Sequence, residues 1–172
     1  MTLRLILTRH AKSDWKDPLA TDHQRSLNDR GRRAAPQIGK WLAGNGHVPA
    51  LALVSDARRT RETWELLSPA LPQPVPMHSL SALYAASPQA ILRCLAATGE
   101  SNVMVIAHNP GIGALAASLV ARAPAHPGFL RYPTCATLVV EFDAAEWAEL
   151  RPASGRVVDF VVPRDLPAST MA

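Results

Sequence analysis

Two histidines stand directly after apolar stretches of the sequence, where their imidazole rings could take part in chemistry. Arg9 and His10 follow a short apolar run at the start of the chain, and His108 follows residues 103–107, which are apolar throughout. Ligands of open α/β sheets gather outside the carboxyl ends of the strands, so we expect these side chains at one site. Asn109 then begins a helix whose unpaired N–H groups attract anions. The pattern favours an anion-binding site over two structural histidines.

Three arginines begin the helix that follows the apolar run at 51–54, and their spacing separates one from the other two. Arg58 has Glu62 four positions on and Arg61 has Glu65, so both are predicted to form ion pairs on the helix surface. Arg59 has no acidic residue at that spacing. It also lies in the first turn, where the helix dipole opposes a cation, so a ligand anion would stabilise it. The alternative is that all three form a solvated basic face.

The elements that position these residues follow from the apolar pattern. Apolar runs predict strands near 3–7, 51–54 and 103–107, and two later strands at 135–142 and 156–162 could extend the edge of the sheet. Helical patterns begin after capping residues or early prolines at 28–29, 55–56, 87–88 and 109–110. The alternation indicates an α/β fold with a largely parallel sheet.

Length and composition indicate a single globular domain. The chain has 172 residues, of which 48% are hydrophobic and 19% charged, so disorder as the main state is excluded. We expect one domain at 1–162 and a loose tail at 163–172. No signal-peptide core or membrane span can be drawn, which predicts a cytoplasmic protein with no membrane partner. Cys94 and Cys135 are too far apart, and too far from histidines, to support a disulfide framework or a zinc site.

The charge balance points to an anionic partner. The net charge is +4, and only three of the 18 basic residues are lysine. Arginine's planar guanidinium suits carboxylate and phosphate oxygens. Residues 11–28 form a long polar stretch with no sustained period, and loops of this length are usually functional. An ordinary surface excursion is the alternative for that segment.

Three stretches resemble the histidine phosphatase superfamily. They are Thr8-Arg9-His10-Ala11-Lys12-Ser13, the run from Ser55 to Thr63, and Ala107-His108-Asn109-Pro110-Gly111. The short phosphohistidine phosphatases of the SixA-type branch are most similar, because of the stretch from Arg25 to Gly31. The resemblance implies a phosphoglycerate mutase-like fold of three layers, in which a mostly parallel central sheet carries helices on both faces. Ala11, Asp56 and Ala107 depart from the residues common in the superfamily.

The resemblance also implies roles for individual residues. His10 would be the nucleophile, and Arg9, Arg59 and His108 would complete the catalytic phosphate pocket. Lys12, Ser13 and Asn109 are assigned to substrate binding beside them. His10 must attack as a neutral imidazole, which flanking arginines favour, and a hydrogen bond from its other nitrogen to the backbone would fix the tautomer. The phosphorylated His10 would then be hydrolysed by water, with no metal and no cofactor.

The substrate class follows from a residue type that is missing. Much of the superfamily carries an acid after the third strand that protonates an alcohol leaving group, yet residues 75–92 hold no Asp or Glu. Imidazole leaves more easily than an alkoxide, so we expect phosphohistidine on a protein to be the preferred substrate. Asp14 or Asp22 from the long segment could instead supply the acid. The alternatives are a phosphatase of small phosphate monoesters and a non-catalytic phosphate-binding or interaction protein.

Other classes have weaker support in the sequence. Residues 111–116 follow the outline of a dinucleotide fingerprint, but no acidic residue stands about twenty positions later. A nucleic-acid binder would need aromatic side chains interleaved with the arginines, and no such series is visible, so we expect no nucleic-acid partner. Mutase activity ranks below hydrolysis because the chain is short and has no evident insertions to retain a reorienting substrate.

Overall fold

The computed structural model describes residues 1–168, which form six strands and four α-helices. The strands are β1 (Thr2–Arg9), β2 (Leu51–Ser55), β3 (Met77–Leu80), β4 (Asn102–Ala107), β5 (Thr137–Asp143) and β6 (Arg156–Val161). The helices are α1 (Asp29–Gly44), α2 (Arg58–Leu67), α3 (Pro88–Ala96) and α4 (Gly111–Leu119). The predicted strands and helices are all present, although the strand ends differ by one or two residues, most at β1 and β5. The capping residue expected for α2 at 55–56 is wrong, because the helix begins at Arg58 after Ala57, which has no side-chain oxygen to cap it.

All six strands belong to one sheet, in the order β3-β2-β4-β1-β5-β6. The pairs β2·β3, β2·β4 and β1·β4 are parallel, whereas β5 and β6 are antiparallel additions at one edge. The largely parallel α/β sheet expected from the sequence is confirmed. The carboxyl ends of β1, β2 and β4 therefore open on the same side of the sheet, where their following residues meet.

Helices cover both faces of the sheet, which gives the three layers that the resemblance implied. Alternate residues of β1 point to opposite faces, because side chains alternate along a strand. Leu5 and Leu7 pack in one core cluster with α3 and α4, and Ile6 packs in the other with α1 and α2. The strands are thus buried on both sides, as their continuous apolar runs required.

One strand was not predicted. β3 is an edge strand whose middle residues, His78 and Ser79, are exposed. Its short polar sequence lacks both the apolar run and the alternation that indicate a strand. The strand leads into a short 3-10 turn at Ser81–Leu83, and Tyr84 follows that turn.

The helix starts confirm some local predictions and correct one. The Asn28 side chain accepts a hydrogen bond from the Gly31 N–H at the start of α1, as an N-cap should. The predicted pair between Arg58 and Glu62 forms, at 2.7 Å. The predicted pair between Arg61 and Glu65 is wrong, because the Arg61 Nε donates instead to the backbone carbonyl of Asp56.

The first residues of the expected tail are attached to the domain. Pro163–Asp165 form a 3-10 turn, and the Gln37 side chain of α1 donates to the carbonyl of Pro167 at 3.2 Å. Residues 169–172, which fall in the same expected tail, lie outside the described residues. Within the described part of the chain, no helix combines the length and the apolar character that crossing a membrane would need.

Candidate active site

One cavity of about 360 Å³ collects the seven site residues expected from the sequence. It lies at the carboxyl ends of β1 and β4, where Arg9 ends one strand and His108 follows the other. The seven are Arg9, His10, Lys12, Ser13, Arg59, His108 and Asn109. Six further residues share the lining: Trp15, Asp22, Arg25, Tyr84, Ala85 and Thr134.

The backbone and one ring nitrogen hold His10 in a single orientation. Its N–H donates to the carbonyl of Ala107 in β4, and its own carbonyl accepts from Cys135. The ring Nδ1 lies 2.7 Å from the carbonyl oxygen of Ala11. Since a carbonyl can only accept, Nδ1 carries the proton, which confirms the backbone hydrogen bond expected from the sequence. Nε2 has no partner among residues 1–168 and keeps its lone pair for a ligand in the cavity.

His10 is held neutral mainly by burial. The pKa of His10 is lowered from 6.5 to about 3, and desolvation is the largest cause. The bond to Ala11 opposes the decrease, whereas the neighbouring His108, Arg59 and Arg9 add to it. The sequence argument assigned this effect to the arginines, whereas the structure makes burial the larger cause.

Arg59 and His108 form a fixed pair on the far side of His10. The Arg59 Nη2 donates to His108 Nδ1 at 3.2 Å, and His108 Nε2 lies 2.8 Å from the hydroxyl of Ser55. The two imidazole centroids are 5.3 Å apart. Burial is also the main cause that lowers the pKa of His108 to about 4. Both rings are therefore neutral near pH 7.

Asp22 supplies the negative charge that Arg59 was expected to find on a ligand. Its Oδ2 lies 3.1 Å from the Arg59 Nη2 and accepts from the Tyr84 hydroxyl at 2.5 Å, while its Oδ1 accepts from Arg25 at 2.7 Å. The carboxylate is still 52% exposed at the mouth of the cavity. These hydrogen bonds, led by the one from Tyr84, hold the pKa of Asp22 well below its usual range. Asp22 is thus ionised.

Asp14, the other acid proposed from the long segment, does not line this cavity. Its carboxylate accepts instead from the backbone N–H of Lys16 at 2.8 Å. Of the two candidates, only Asp22 reaches the side chains of His10 and its neighbours.

The arginines keep unused hydrogen-bonding capacity. The Arg9 Nη1 donates to the carbonyl of Tyr132 at 3.2 Å, but the Nε atoms of Arg9 and Arg59 are buried without a partner in the described chain. Burial and the charge of Arg59 lower the pKa of Arg9. A doubly charged tetrahedral anion in the cavity would stabilise both guanidinium charges through their terminal nitrogens.

The three expected substrate-binding residues differ in how many of their hydrogen-bonding groups remain free for a ligand. Lys12 is exposed and its ammonium group makes no bond within residues 1–168. Ser13 is buried, and its hydroxyl accepts from Arg25 at 2.7 Å. The amide of Asn109 is committed to the carbonyl of Tyr132 and to the N–H of Gly113. Asn109 therefore joins two loops around the cavity, and Lys12 is the one with a free donor.

Thr63 is a supporting residue that sequence reasoning did not single out. Its hydroxyl accepts from the N–H of Ala11 at 3.0 Å and donates to the carbonyl of Arg59 at 2.6 Å. It thus links the peptide that orients His10 to the turn that carries Arg59. Thr63 and Ser55 both lie within the stretch from Ser55 to Thr63 that resembles the superfamily, so that stretch was the available signal. Tyr84 stands out in the sequence only because it and His78 are the two titratable side chains of residues 75–92.

The described residues also contain no group of three or more His, Cys, Asp or Glu side chains placed to hold a metal ion.

Comparison with known proteins adds three relatives. Residues 5–83 match the model of the histidine phosphatase superfamily (branch 1). An uncharacterized protein of Mycobacterium tuberculosis is 32% identical, over 91% of this chain and 99% of its own length. A protein of Agrobacterium tumefaciens, provisionally assigned as the phosphohistidine phosphatase SixA, has a TM-score of 0.76 at 28% identity, covering 94% of this chain and 98% of its own. The protein histidine phosphatase SixA complexed with tungstate has the same fold, with a TM-score of 0.74 at 22% identity over 95% of this chain and 99% of its own.

Proposed function

This chain belongs to the histidine phosphatase superfamily, and from that premise we propose that it hydrolyses phosphohistidine on a protein through a covalent intermediate on His10. The reaction needs neither a metal ion nor a cofactor. Arg9, Arg59 and His108 complete the catalytic group, and the exposed Lys12 ammonium adds a cation for the substrate phosphate.

The orientation of the His10 ring is the main observation that supports this proposal. Its Nδ1–H is held by the Ala11 carbonyl at 2.7 Å, which leaves the Nε2 lone pair as the nucleophile. Nε2 attacks phosphorus, the bond from phosphorus to the leaving atom breaks, and the phosphoryl group is transferred to His10. Water then attacks phosphorus, the P–Nε2 bond breaks, and the proton of the water passes to solvent. Arg9 and Arg59 stabilise the charge on the phosphoryl oxygens in both steps.

The ionised state of Asp22 supports phosphohistidine as the substrate. An alcohol leaving group needs a proton, and a general acid is worth ~10²–10⁴ in rate. Asp22 is the carboxyl group at the mouth of this cavity, and with its pKa held low it has no proton to give. A phosphoimidazole that is protonated on its distal nitrogen leaves as neutral imidazole, whose conjugate acid has a pKa of ~6.5. A phosphohistidine substrate in this protonation state therefore needs no general acid from the protein.

A substrate panel tests the proposal. We expect the native protein to hydrolyse a phosphohistidine peptide with kcat/KM at least ~10² above that for a sugar phosphate, with an aryl phosphate between them. A radioactive phosphodonor should label native protein in an acid-labile form. His10→Ala should lose both the label and the turnover, while His78→Ala, which changes an exposed histidine on β3, should keep both.

Two outcomes would contradict the proposal in different ways. Equal or higher kcat/KM for the sugar phosphate would identify a phosphatase of small monoesters. Phosphate binding with neither label nor turnover for any substrate would identify a non-catalytic phosphate-binding protein.

A further inference from the structure

A basic groove begins where the catalytic cavity ends. Lys12 and Thr134 line both spaces, and the groove continues from them with a volume of about 620 Å³. Arg30 and Arg33 of α1 form one wall, and Arg131 and Arg164 stand on the segments that form the other. Arg30 and Arg33 are three residues apart, so they share a face of the helix. Cations therefore face an occupant from both sides.

These cations have no acidic partner in the described chain. Lys12 and the four arginines of the groove make no salt bridge within residues 1–168, whereas Arg4, Arg25, Arg58, Arg59 and Arg156 elsewhere on the chain each do. Asp165, the one carboxylate among the described residues that line the groove, is already bonded to His126 at 2.9 Å and to the N–H of Val162 at 3.1 Å. The groove therefore presents an excess of positive charge that an anionic segment would neutralise.

The walls of the groove are fixed by contacts that do not involve those cations. The Gln37 side chain joins α1 to the carbonyl of Pro167, and His126 joins Asp165. Val162 is buried beneath, with Pro133 half-buried beside it. A preformed groove with an apolar floor and cationic rims suits a polypeptide with carboxylate side chains, because its backbone can lie on the floor. Among the described residues that line the groove, only His126 has an aromatic ring on which a base could stack.

We propose that this groove binds an acidic segment of the phosphoprotein substrate, a few residues from its phosphohistidine. The inference rests on the proposed function, since continuity with the cavity of His10 is what links the two. The groove recognises the protein that carries the phosphoryl group, while Arg9 and Arg59 recognise the phosphoryl group itself. Specificity for the substrate protein thus lies outside the catalytic cavity.

Charge-matched variants separate this groove from a general charge effect. Arg33→Ser, Arg131→Ser and Arg164→Ser together remove three exposed cations from the groove and touch no residue of the catalytic group. Arg93→Ser, Arg122→Ser and Arg151→Ser together remove three exposed cations from other faces of the molecule. Both variants lower the net charge by the same amount. The probes are fluorescein-labelled peptides of equal length that contain either six Glu or six Gln residues.

We expect the Glu peptide to bind native protein and the Gln peptide to bind much more weakly. The Kd of the Glu peptide should rise by at least about tenfold in the groove variant and by less than about twofold in the control variant. For chemically phosphorylated peptides that carry one phosphohistidine beside each run, kcat/KM should follow the same order. Hydrolysis of phosphoimidazole, which does not reach the groove, should be equal in all three proteins.

Several results would overturn the inference. They are equal binding of the Glu and Gln peptides, equal losses in the two variants, and an RNA oligonucleotide of the same charge that binds more tightly than the Glu peptide. Binding that appears only after residues 169–172 are removed would instead assign the groove to this chain's own terminus. Failure of the proposed function is distinguishable, because phosphoimidazole would then remain intact or be hydrolysed no faster than a sugar phosphate, whatever the peptides do.

Discussion

The carboxylate Oδ2 of Asp22 lies 3.1 Å from the Nη2 of Arg59, within the distance at which an oxygen of a bound phosphate would accept from that guanidinium. The same Nη2 donates to His108 Nδ1, and the Nη1 donates to the Asp22 carbonyl at 2.6 Å. A substrate phosphate must therefore compete with an internal anion for Arg59. Arg25 and Tyr84 also hold this carboxylate, so a phosphate that binds Arg59 must replace one of several hydrogen bonds to Asp22.

Asp22→Asn should make the pocket bind phosphate more tightly. The substitution removes the competing negative charge and keeps the size of the side chain. We expect the inhibition constant of inorganic phosphate to fall by about tenfold, since charge-assisted hydrogen bonds are worth about 1.5–3 kcal/mol and this one is partly exposed. Competitive inhibition of aryl phosphate turnover measures it. Asp14→Asn is the matched control, and it should leave the constant unchanged.

The same variant also tests whether Asp22 is a proton donor. If it protonated an alcohol leaving group, Asp22→Asn would lower kcat for an alkyl phosphate by ~10²–10⁴. We expect kcat for that substrate to change by less than about threefold. A large loss confined to alkyl phosphates would show that the carboxyl group carries a proton during turnover, which would contradict the argument for phosphohistidine.

Thr63→Val should reduce kcat while it leaves the fold intact. Valine has the shape of threonine but cannot accept the hydrogen bond from the Ala11 N–H, so a buried donor loses its partner, at a cost of about 1–3 kcal/mol. The Ala11 peptide also orients His10, so its displacement should lower kcat by about tenfold. Thr60→Val is the control, because the Thr60 hydroxyl only donates to the carbonyls of Ser55 and Ala57.

Single-turnover phosphorylation of His10 and urea unfolding give the two readouts. Both threonine variants should lose some stability, whereas only Thr63→Val should slow phosphorylation. Equal rates of phosphorylation in the two variants would show that the Ala11 peptide does not depend on Thr63 for its position.

The convergence of His10, Arg9 and His108 could be predicted because it follows from topology. Each lies at or directly after the carboxyl end of β1 or β4, and these strands are parallel neighbours. The same rule placed Arg59 nearby, since α2 begins soon after β2. Parallel strands bring the residues at their carboxyl ends together whatever the side chains are. The apolar runs that identify the strands are therefore enough to predict that these residues meet.

The network around Asp22 could not be predicted for the converse reason. Asp22 reaches Arg59 because of the path of residues 11–28, which have no period to indicate a conformation. Tyr84 reaches Asp22 from the turn after β3. The polar sequence of β3 did not indicate a strand, so the position of Tyr84 could not be predicted either. Arg61 of α2 is another side chain whose partner could not be predicted. Its Nε donates to the backbone carbonyl of Asp56 at 3.1 Å, and not to the carboxylate of Glu65 that the helical spacing indicated. Contacts made by irregular segments depend on tertiary packing.

Gly31→Ala should destabilise the protein and displace the segment beside the cavity. A Cβ at Gly31 would overlap the backbone carbonyl of Lys12, which also accepts from the Asn28 N–H at 3.0 Å. Because backbone atoms cannot yield as a flexible side chain would, we expect a loss of about 1–3 kcal/mol. Thermal unfolding measures it, and the affinity for phosphate should fall as Lys12 moves.

Gly44→Ala provides the control in the same helix. Nothing lies within 4 Å of a Cβ at Gly44, so the higher helix propensity of alanine should leave stability unchanged or raise it by up to about 1 kcal/mol. Equal stability of Gly31→Ala and Gly44→Ala would show that α1 does not approach the backbone of Lys12 closely enough to exclude a Cβ at Gly31.

The two buried imidazoles should make the protein less stable as the pH falls from about 6.5 to 4. Folding lowers the pKa of His10 to about 3 and that of His108 to about 4, from 6.5 in the unfolded chain. Between these values the unfolded chain binds more protons, so the free energy of unfolding decreases as the pH decreases. The full contribution is present above pH 6.5, and at pH 4.5 each histidine should have cost about 2.5 kcal/mol.

Urea unfolding at pH 7.5 and pH 4.5 measures this dependence in native protein and in the double variant His10→Gln, His108→Gln. Glutamine does not titrate, so the double variant should lose less stability than native protein over the same interval, by a few kcal/mol. Asp22 does not confuse the comparison, because its lowered pKa makes its carboxylate contribute a loss only below about pH 4. The same decrease in both proteins would mean that the rings of His10 and His108 accept protons in the folded state as readily as in the unfolded chain, and the neutral nucleophile at Nε2 would no longer follow from burial.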